Sequence, residues 1–529
     1  MEKDYGRTTE TSRRRTRTGC ATCSCEGYGI WGGGHTATLF HDPSHTIVSV
    51  YHSSLFPALL SQPQNDAFNH FQSYLKSKIP GVFESGFWNK LVLQASVQEP
   101  AVLHSVVALA ACQMGNERLS LKAYNQAICE LRQHLKCSTK YALRVTLITC
   151  MLFICLELLG GSCNTSNVHL QNGLRLLKDL QNQTRDLPAA STRNTITLSQ
   201  RVETSDDCIV EAFTRLNVQS ALFGQGSNFL YELGDDPRKG ASRYCTGSNF
   251  STVAEARQHL DLLINGVLRL SSQADSLTVE SMKITDGLRR RRRILESSLD
   301  RWMDAFQSSS FERSSDVSED IQSRLGMAVL RIYHTMIKIM VATCLRGKDE
   351  MIYDRYMPDF KSLLQQVWEL WTEATVEFGQ IHHKNSFTAD MGYIPPLYYT
   401  SLRCRDPNLR RIAIDLLAKA PHVEGAWDGQ LASAIVRRVM ELEEGHTYEG
   451  YELEAGVMSP LEMGGSSLPT VPAAARVNNV MVTPDPTVRY KTAYRLTKYL
   501  NKDLTGRLEC NVDSYDIEVA PHLQAQRPI

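Results

Sequence analysis

Residues 145–161 read VTLITCMLFICLELLGG and residues 101–114 read AVLHSVVALAACQM. The first stretch is interrupted by Thr146, Thr149 and Glu157. A helix that spans a bilayer needs about 20 mostly apolar residues, so this one reads as a helix buried in a protein core, with no membrane partner. The second stretch has Pro100 at its first helical position and no Asp, Glu, Lys or Arg between Glu99 and Glu117. Proline's fixed φ suits a first turn, and a helix with no charged side must be covered on most of its circumference. Helices of this kind need other helices around them.

The surrounding sequence supplies those helices. Leu121, Tyr124, Ile128, Leu131 and Leu135 recur at steps of three and four, and Leu170, Leu174 and Leu177 do the same. Thr252 and Glu255 have capping-box spacing ahead of Leu260, Leu263, Ile264, Val267 and Leu268. Val329, Ile332, Tyr333, Met336, Ile337, Met340 and Val341 mark another long helix. Asp406-Pro407 is an N-cap acceptor followed by a pre-set φ, and Leu409, Ile412, Ala413, Leu416, Leu417 and Ala420 form the stripe behind it. No sustained alternation of period two and no β-α-β rhythm interrupts this succession. The expected fold is all-α: a multi-helix regulatory domain of antiparallel helices joined by short turns such as Gly160–Asn164.

The flanks differ. Residues 1–50 combine Arg7, Arg13, Arg14, Arg15 and Arg17 with a glycine-rich stretch from Gly27 to Gly34, and have too little apolar surface to offset their ordering entropy. They read as a disordered basic tail. The helical body runs from 51 to 444 with a polar linker at about 181–207, and the segment 445–529 reads as loosely ordered. With 529 residues and 57 basic against 57 acidic side chains, the chain has no net electrostatic pull toward a polyanion, so any such partner must meet a local patch. The polar N-terminus has no apolar stretch of a secretory signal, and the 14 cysteines are expected to be free thiols of an intracellular protein.

Two local patches qualify. Arg289, Arg290, Arg291, Arg292 and Arg293 form an uninterrupted run, read either as a nuclear-import or polyanion-binding patch or as the basic stretch of an amphipathic helix continuing through Leu295, Leu299, Trp302 and Phe306. The other is Arg17-Thr18-Gly19-Cys20-Ala21-Thr22-Cys23, preceded by Arg13–Arg15. Two cysteines at this spacing reach one zinc ion across a tight turn.

This opening resembles the fungal zinc binuclear cluster (six-cysteine) transcription factors, whose module begins with a basic arm and Arg-Thr-Gly-Cys-x-Thr-Cys. The resemblance implies that Cys20 and Cys23 are the first two zinc ligands and that Arg13, Arg14, Arg15 and Arg17 contact DNA. Cys25, in Ser24-Cys25-Glu26-Gly27-Tyr28, looks like the module's closing cysteine. The basic middle with its intervening cysteines is missing, and three thiolates cannot hold the two zinc ions for which the family uses six. One zinc with His35 as fourth ligand and a zinc-free tail with free thiols remain the alternatives.

The body resembles the regulatory domain that follows this cluster, in the order FWNKLVL (87–93), EPAVLHSVVALA (99–110), YNQAICEL (124–131), LFICLELL (152–159), HLQNGLRLL (169–177), EAFTRLNVQSALF (211–223), IPPLYY (394–399), CRDPNLRRIAIDLL (404–417) and EGAWD (424–428). The resemblance implies a nuclear transcription regulator of pathway genes that contacts DNA and forms homo- or hetero-dimers with related regulators. A co-regulator that does not bind DNA, or a helical protein that binds a metabolite or partner, is the alternative. An all-α enzyme comes third, because Gly-x-Ser-x-Gly, the phosphate loop and His-Glu-x-x-His are absent. Arg403, Arg405, Arg410 and Arg411 read as a solvated helix face, and Trp427 as packed under a turn.

Overall fold

The structure, a computed structural model, describes residues 60–484 except 137–138, 184–194, 200–201, 223–229, 236–248, 276–285, 312–316, 347–348, 379–385, 421, 454–458 and 463–467. It also describes residues 491–502 and 508–518. The all-α reading holds. The first helix, α1 (Gln62–His70), starts at a capping box between Ser61 and Gln64 and runs through a π turn, Phe71–Leu75, into the short α2 (Lys76–Lys78). A second π turn, Phe87–Leu91, opens α3 (Val92–Gln98). Then come α4 (Pro100–Gln113), α5 (Glu117–His134), α6 (Lys140–Leu159) and α7 (Cys163–Gln183).

The two stretches quoted first are α4 and α6. They pack against each other at the centre, with α5 and α7 folding back as the outer arms of two helical hairpins. All of α6 from Ala142 to Leu156 is buried, as is most of α4. This is the coverage their lack of charge demanded. The turn after α6 needs Gly161 at φ +78, where a Cβ would be strained, and it lets Ser162 N–H donate to Glu157 O at 2.7 Å.

The stripe expected on α5 is rotated. Leu121 and Leu135 are each 60% exposed, while Ser120, Ala123, Ala127 and Leu131 form the buried face. Small side chains let α5 approach α4 closely, and Ser120 Oγ donates to Ala108 O at 2.9 Å across the contact. A leucine-led stripe points one residue away from a seam built on serine and alanine.

The second half wraps this core with α8 (Ser205–Leu222), α9 (Val253–Asp275), α10 (Asp286–Ser308), α11 (Val317–Thr343) and α12 (Met357–Phe378). It ends with the compact trio α13 (Ile394–Arg403), α14 (Pro407–Lys419) and α15 (Gly429–Glu444). Two cap readings hold: Asp406 accepts from Asn408 and Leu409 N–H at 3.0 and 2.9 Å, and Thr252 accepts from Glu255 N–H at 3.1 Å. The helices Lys140–Leu159 and Ile321–Thr343 are long and apolar enough to cross a membrane. The first is 89% buried inside the protein and the second 61%, so both serve its core.

Short strands occur where the sequence showed no alternation. β1 (Thr195–Leu198) pairs in parallel with β2 (Glu232–Asp235), and β3 (Ser386–Thr388) with β4 (His422–Glu424), which turns back to β5 (Trp427–Asp428). β6 (Asn479–Pro484), β7 (Lys491–Lys502) and β8 (Leu508–Glu518) form an antiparallel sheet. Part of the segment after residue 445 packs against α15. Val471, Arg476, Val477 and Val482 are buried, and the two later valines share a small core with Ile435 and Val439 of α15.

A glycine fixes the closest approach between the two halves. A Cβ on Gly173 of α7 would lie 2.3 Å from a ring carbon of the fully buried Phe213 on α8, and 3.2 Å from the Cys150 sulfur. In an open helix Gly→Ala stabilises by about 1 kcal/mol. Here overpacking, about 1–3 kcal/mol, outweighs that gain. Gly173→Ala is expected to lower the denaturant midpoint at unchanged slope, whereas a raised midpoint would show that the α7–α8 contact has room to give.

Candidate functional site

The residues that carry the zinc and DNA resemblance, Cys20, Cys23, Cys25, Arg13, Arg14, Arg15 and Arg17, lie outside the described residues, as does His35. Among the described residues no group of three or more His, Cys, Asp and Glu side chains is placed to hold a metal ion. The described cysteines are free thiols. Burial pushes Cys150, Cys344 and Cys404 up to about 12, so these are packing groups rather than nucleophiles or ligands at neutral pH. The adjacent acids Asp206 and Asp207 have structural partners as well. Asp206 meets Arg144 at 2.6 Å and Lys140 at 3.0 Å, while Asp207 caps the start of α8 through Thr204 N–H at 3.0 Å. His382 and His383 lie outside the described residues.

Arg289 to Arg293 fall on the first turns of α10. The helix buries Leu295, Ser298, Leu299, Trp302, Ala305 and Phe306, and Trp302 Nε1 donates to Ala256 O of α9 at 2.9 Å. That anchoring fixes which arginines face outward. Arg292 lies beside the buried stripe, half-buried, and donates to Glu296 at 2.9 Å; Arg291 donates to Gln273 of α9 at 2.7 Å. Arg289, Arg290 and Arg293 are exposed, and only Arg289 has an acidic neighbour among the described residues, Asp286 at 3.2 Å.

The four arginines around the Asp406-Pro407 helix start are a different matter, and the solvated-face reading of them is wrong. Arg405 and Arg410 are fully buried, and Arg403 and Arg411 partly so. Arg405 reaches Glu350 at 3.1 Å and Glu443 at 2.9 Å, Arg410 reaches Glu443 at 2.7 Å, Arg403 reaches Glu350 at 2.8 Å, and Arg411 reaches Glu444 at 2.6 Å. The same cluster receives Arg476 from the C-terminal segment, which clasps Asp354 at 2.7 Å and donates to Glu350 O at 3.0 Å. Arg405 also donates to Val477 O at 3.3 Å, and Glu443 accepts from Val477 N–H at 2.6 Å. Residues 471–478 are thus strapped onto α13–α15 by buried ions. The sequence hid this because the acids that partner these arginines lie 30 or more positions away.

A second buried cluster escaped the sequence reading altogether. Asp390 accepts from Arg257 of α9 at 2.8 Å and from Arg215 of α8 at 3.2 Å, with Glu211 paired to Arg215 one helical turn back. The Arg257 guanidinium also stacks 3.8 Å from the centre of the Phe83 ring. The only local hint was an acid and an arginine four apart in each helix, Glu211/Arg215 and Arg257/Asp261. Nearby, Glu424 accepts from three successive N–H groups, those of Gly392, Tyr393 and Ile394, at 2.7, 3.1 and 3.2 Å. Pro395 and Pro396 have no N–H, so one carboxylate takes all the orphan donors at the start of α13. This physically couples the IPPLYY and EGAWD segments. Trp427 packs beneath that turn, edge-on to Tyr398 at 5.2 Å, as expected.

A cleft bounded by Ile154, Leu158, Leu170, Leu216, Gln219 and Ser220 has about 20 Å³ of space. That holds about one water molecule, not a metabolite.

Two carboxylates, Glu443 in the first cluster and Asp261 beside the second, titrate in opposite senses. Desolvation acts to raise the Glu443 carboxyl, but Arg405 and Arg410 outweigh it and hold it at about 2. Its contribution is present above the ordinary carboxylate range and is lost as pH falls toward 2. Glu443→Gln is therefore expected to destabilise the protein by about 3 kcal/mol at pH 7, because it leaves buried guanidinium charge uncompensated, and to flatten the loss of stability below pH ~4.5. For Asp261 desolvation prevails over Arg257 and lifts the carboxyl to about 6. Ionising it above that pH costs stability, so Asp261→Asn is expected to be neutral or stabilising by about 1 kcal/mol at pH 7.5, with the advantage gone by pH ~4. Denaturant titrations across this pH range check both signs.

Residues 66–374 match the fungal specific transcription factor domain family. Over 408 residues the chain is 22% identical to a cluster-specific transcription regulator of aspercryptin biosynthesis from Emericella nidulans, covering 62% of this chain and 63% of that relative. The chain thus spans a little under two thirds of that relative's length. No solved structure matches. The matched segment runs from α1 into α12 and takes in the α4–α6 core, the Arg215 and Arg257 partners of Asp390, and the arginine run of α10. It covers more than half of the sequence, and on that ground the chain belongs to the fungal specific transcription factor domain family.

Proposed function

We propose that this protein is a fungal transcription regulator acting in the nucleus on the genes of one biosynthetic pathway. One observation carries the reading: the helical body belongs to a transcription factor domain family, and its relative is described as a cluster-specific transcription regulator. The buried chemistry agrees with a non-enzymatic role. Asp390 and Glu443 are committed to guanidinium and backbone partners, and Glu424 to backbone N–H groups and to His422 at 2.8 Å.

In this reading the body supplies regulation and dimer contacts with like or related chains, and the N-terminal arm supplies the grip on DNA. Arg13, Arg14, Arg15 and Arg17 would contact phosphates, while Cys20, Cys23 and Cys25 would hold zinc. Three thiolates support one ion, with a fourth ligand from elsewhere, and not the two-zinc cluster. Arg289–Arg293 would assist entry into the nucleus. A second reading is favoured by the three-cysteine set itself: a co-regulator that pairs with intact regulators and leaves DNA contact to them.

Zinc content and DNA affinity of the full chain separate the two. The first reading expects at most one zinc per chain, lost in Cys20→Ser and Cys23→Ser. It also expects a DNA affinity whose salt dependence falls by about one unit of slope for each arm arginine replaced by Gln that had contacted a phosphate. A zinc-free chain without DNA affinity that still co-purifies with a related regulator would establish the second.

A further inference from the structure

The charges of α10 are segregated along the helix, with arginines toward one end and acids toward the other. A helix carries partial positive charge at its N-terminus and negative at its C-terminus, so stability favours acids first and bases last. In α10, apart from Asp286, the order is reversed: Arg289 to Arg293 come first, and Glu296, Asp300 and Asp304 follow as a row at four-residue spacing. Within the run Arg289 and Arg293 sit four apart, and Arg290 and Arg293 three apart, spacings at which like charges repel. Arg292 reaches Glu296 and Arg291 reaches Gln273, but Arg290 and Arg293 are exposed with no carboxylate partner among the described residues. Only Arg289 of the run lies in the first turn, where the end charge acts, so the dipole does not bear on Arg290 and Arg293. Their exposed guanidinium groups are open to an external anion.

The chemistry selects among anions. The run is all arginine, whose planar guanidinium presents paired donors to phosphate oxygens. It fans around the helix rather than lining a groove, which suits a lattice of phosphates better than one acidic peptide. A membrane surface is disfavoured, because the apolar face of α10 is spent inside the protein on Leu295, Leu299, Trp302 and Phe306, leaving Ile294 alone exposed near the run. The acidic later turns would be repelled by the same surface, so the helix would meet it by its arginine end.

We infer that the first turns of α10 form a second, sequence-independent DNA contact in which Arg289, Arg290 and Arg293 engage backbone phosphates next to the site held by the N-terminal arm. The inference rests on the reading of the protein as a transcription regulator. It adds to that reading a phosphate clamp in the helical body itself.

The test uses the full chain, its Arg290→Gln/Arg293→Gln variant, a variant with Arg13, Arg14, Arg15 and Arg17 replaced by Gln, and the combination of both. Affinity for random-sequence duplex DNA is measured between about 50 and 200 mM salt. If the α10 contact exists, Arg290→Gln/Arg293→Gln reduces the salt slope by about 2 units, and by the same amount whether or not the arm is intact. Because glutamine keeps helix propensity and removes repulsion, the melting temperature stays level or rises; a marked fall would mean that the arginines are structural and would overturn the inference. Equal salt slopes with and without Arg290 and Arg293 would also overturn it, and if that variant then failed to accumulate in nuclei, the run would be an import signal alone. Loss of the arm contribution with the α10 decrement intact would leave this inference standing while removing the arm from the proposed function.

Discussion

A carboxylate or guanidinium taken out of water must be met by opposite charge or by several hydrogen bonds, or the fold cannot hold it. This constraint decides how the second half of the chain closes. Asp390 arrives long after α8 and α9 in sequence, yet it lies between Arg215 and Arg257 and ties those helices to the segment ahead of α13. Glu350 and Glu443 do the same for α13, α14, α15 and residues 471–478. Pairing of this kind adds little net stability over an apolar core, but it penalises every arrangement in which a partner is missing. The clusters therefore act mainly on specificity.

The same constraint explains what the sequence disclosed. Apolar burial leaves a local signature, because core residues of a helix repeat every three or four positions, so α4, α6, α7, α9, α11 and α14 were readable in place. Caps are equally local, and Asp406 and Thr252 were identified from their immediate neighbours. The error on α5 arose where the seam is made of Ser120, Ala123 and Ala127, side chains too small to stand out beside Leu121 and Leu135. Arg403, Arg405, Arg410 and Arg411 were misread for a different reason. An arginine in a sequence looks solvated unless its acid is visible, and Glu350, Glu443 and Glu444 are visible only in three dimensions. Glu424 was hidden likewise, since its partners are backbone N–H groups some 30 positions earlier.

The short motifs read from the sequence between 394 and 428 gain a physical basis from these contacts. IPPLYY begins a helix whose first donors are reduced by two prolines, and EGAWD supplies the one carboxylate that satisfies the rest. Gly392 must lack a side chain for that carboxylate to fit, since a Cβ there would lie 2.5 Å from its oxygen. CRDPNLRR holds the arginines that fasten α14 to α15 and to the C-terminal strap. Each segment is uninformative alone because its function is to complete another.

Net neutrality conceals how the charge is distributed. Arginines such as Arg215, Arg257, Arg405 and Arg410 are matched by acids within the interior, so they contribute almost no field outside the protein. The field that an approaching polyanion experiences comes from the cations left on the surface, and close to a compact patch it is screened only beyond about 8–10 Å at moderate salt. One such patch is the α10 run. It projects from a helix anchored by Trp302 and Leu299, so it is held at a fixed position relative to the core. A chain with zero net charge can thus present a local basic face, because several of its arginines are cancelled internally while those of α10 stay outside.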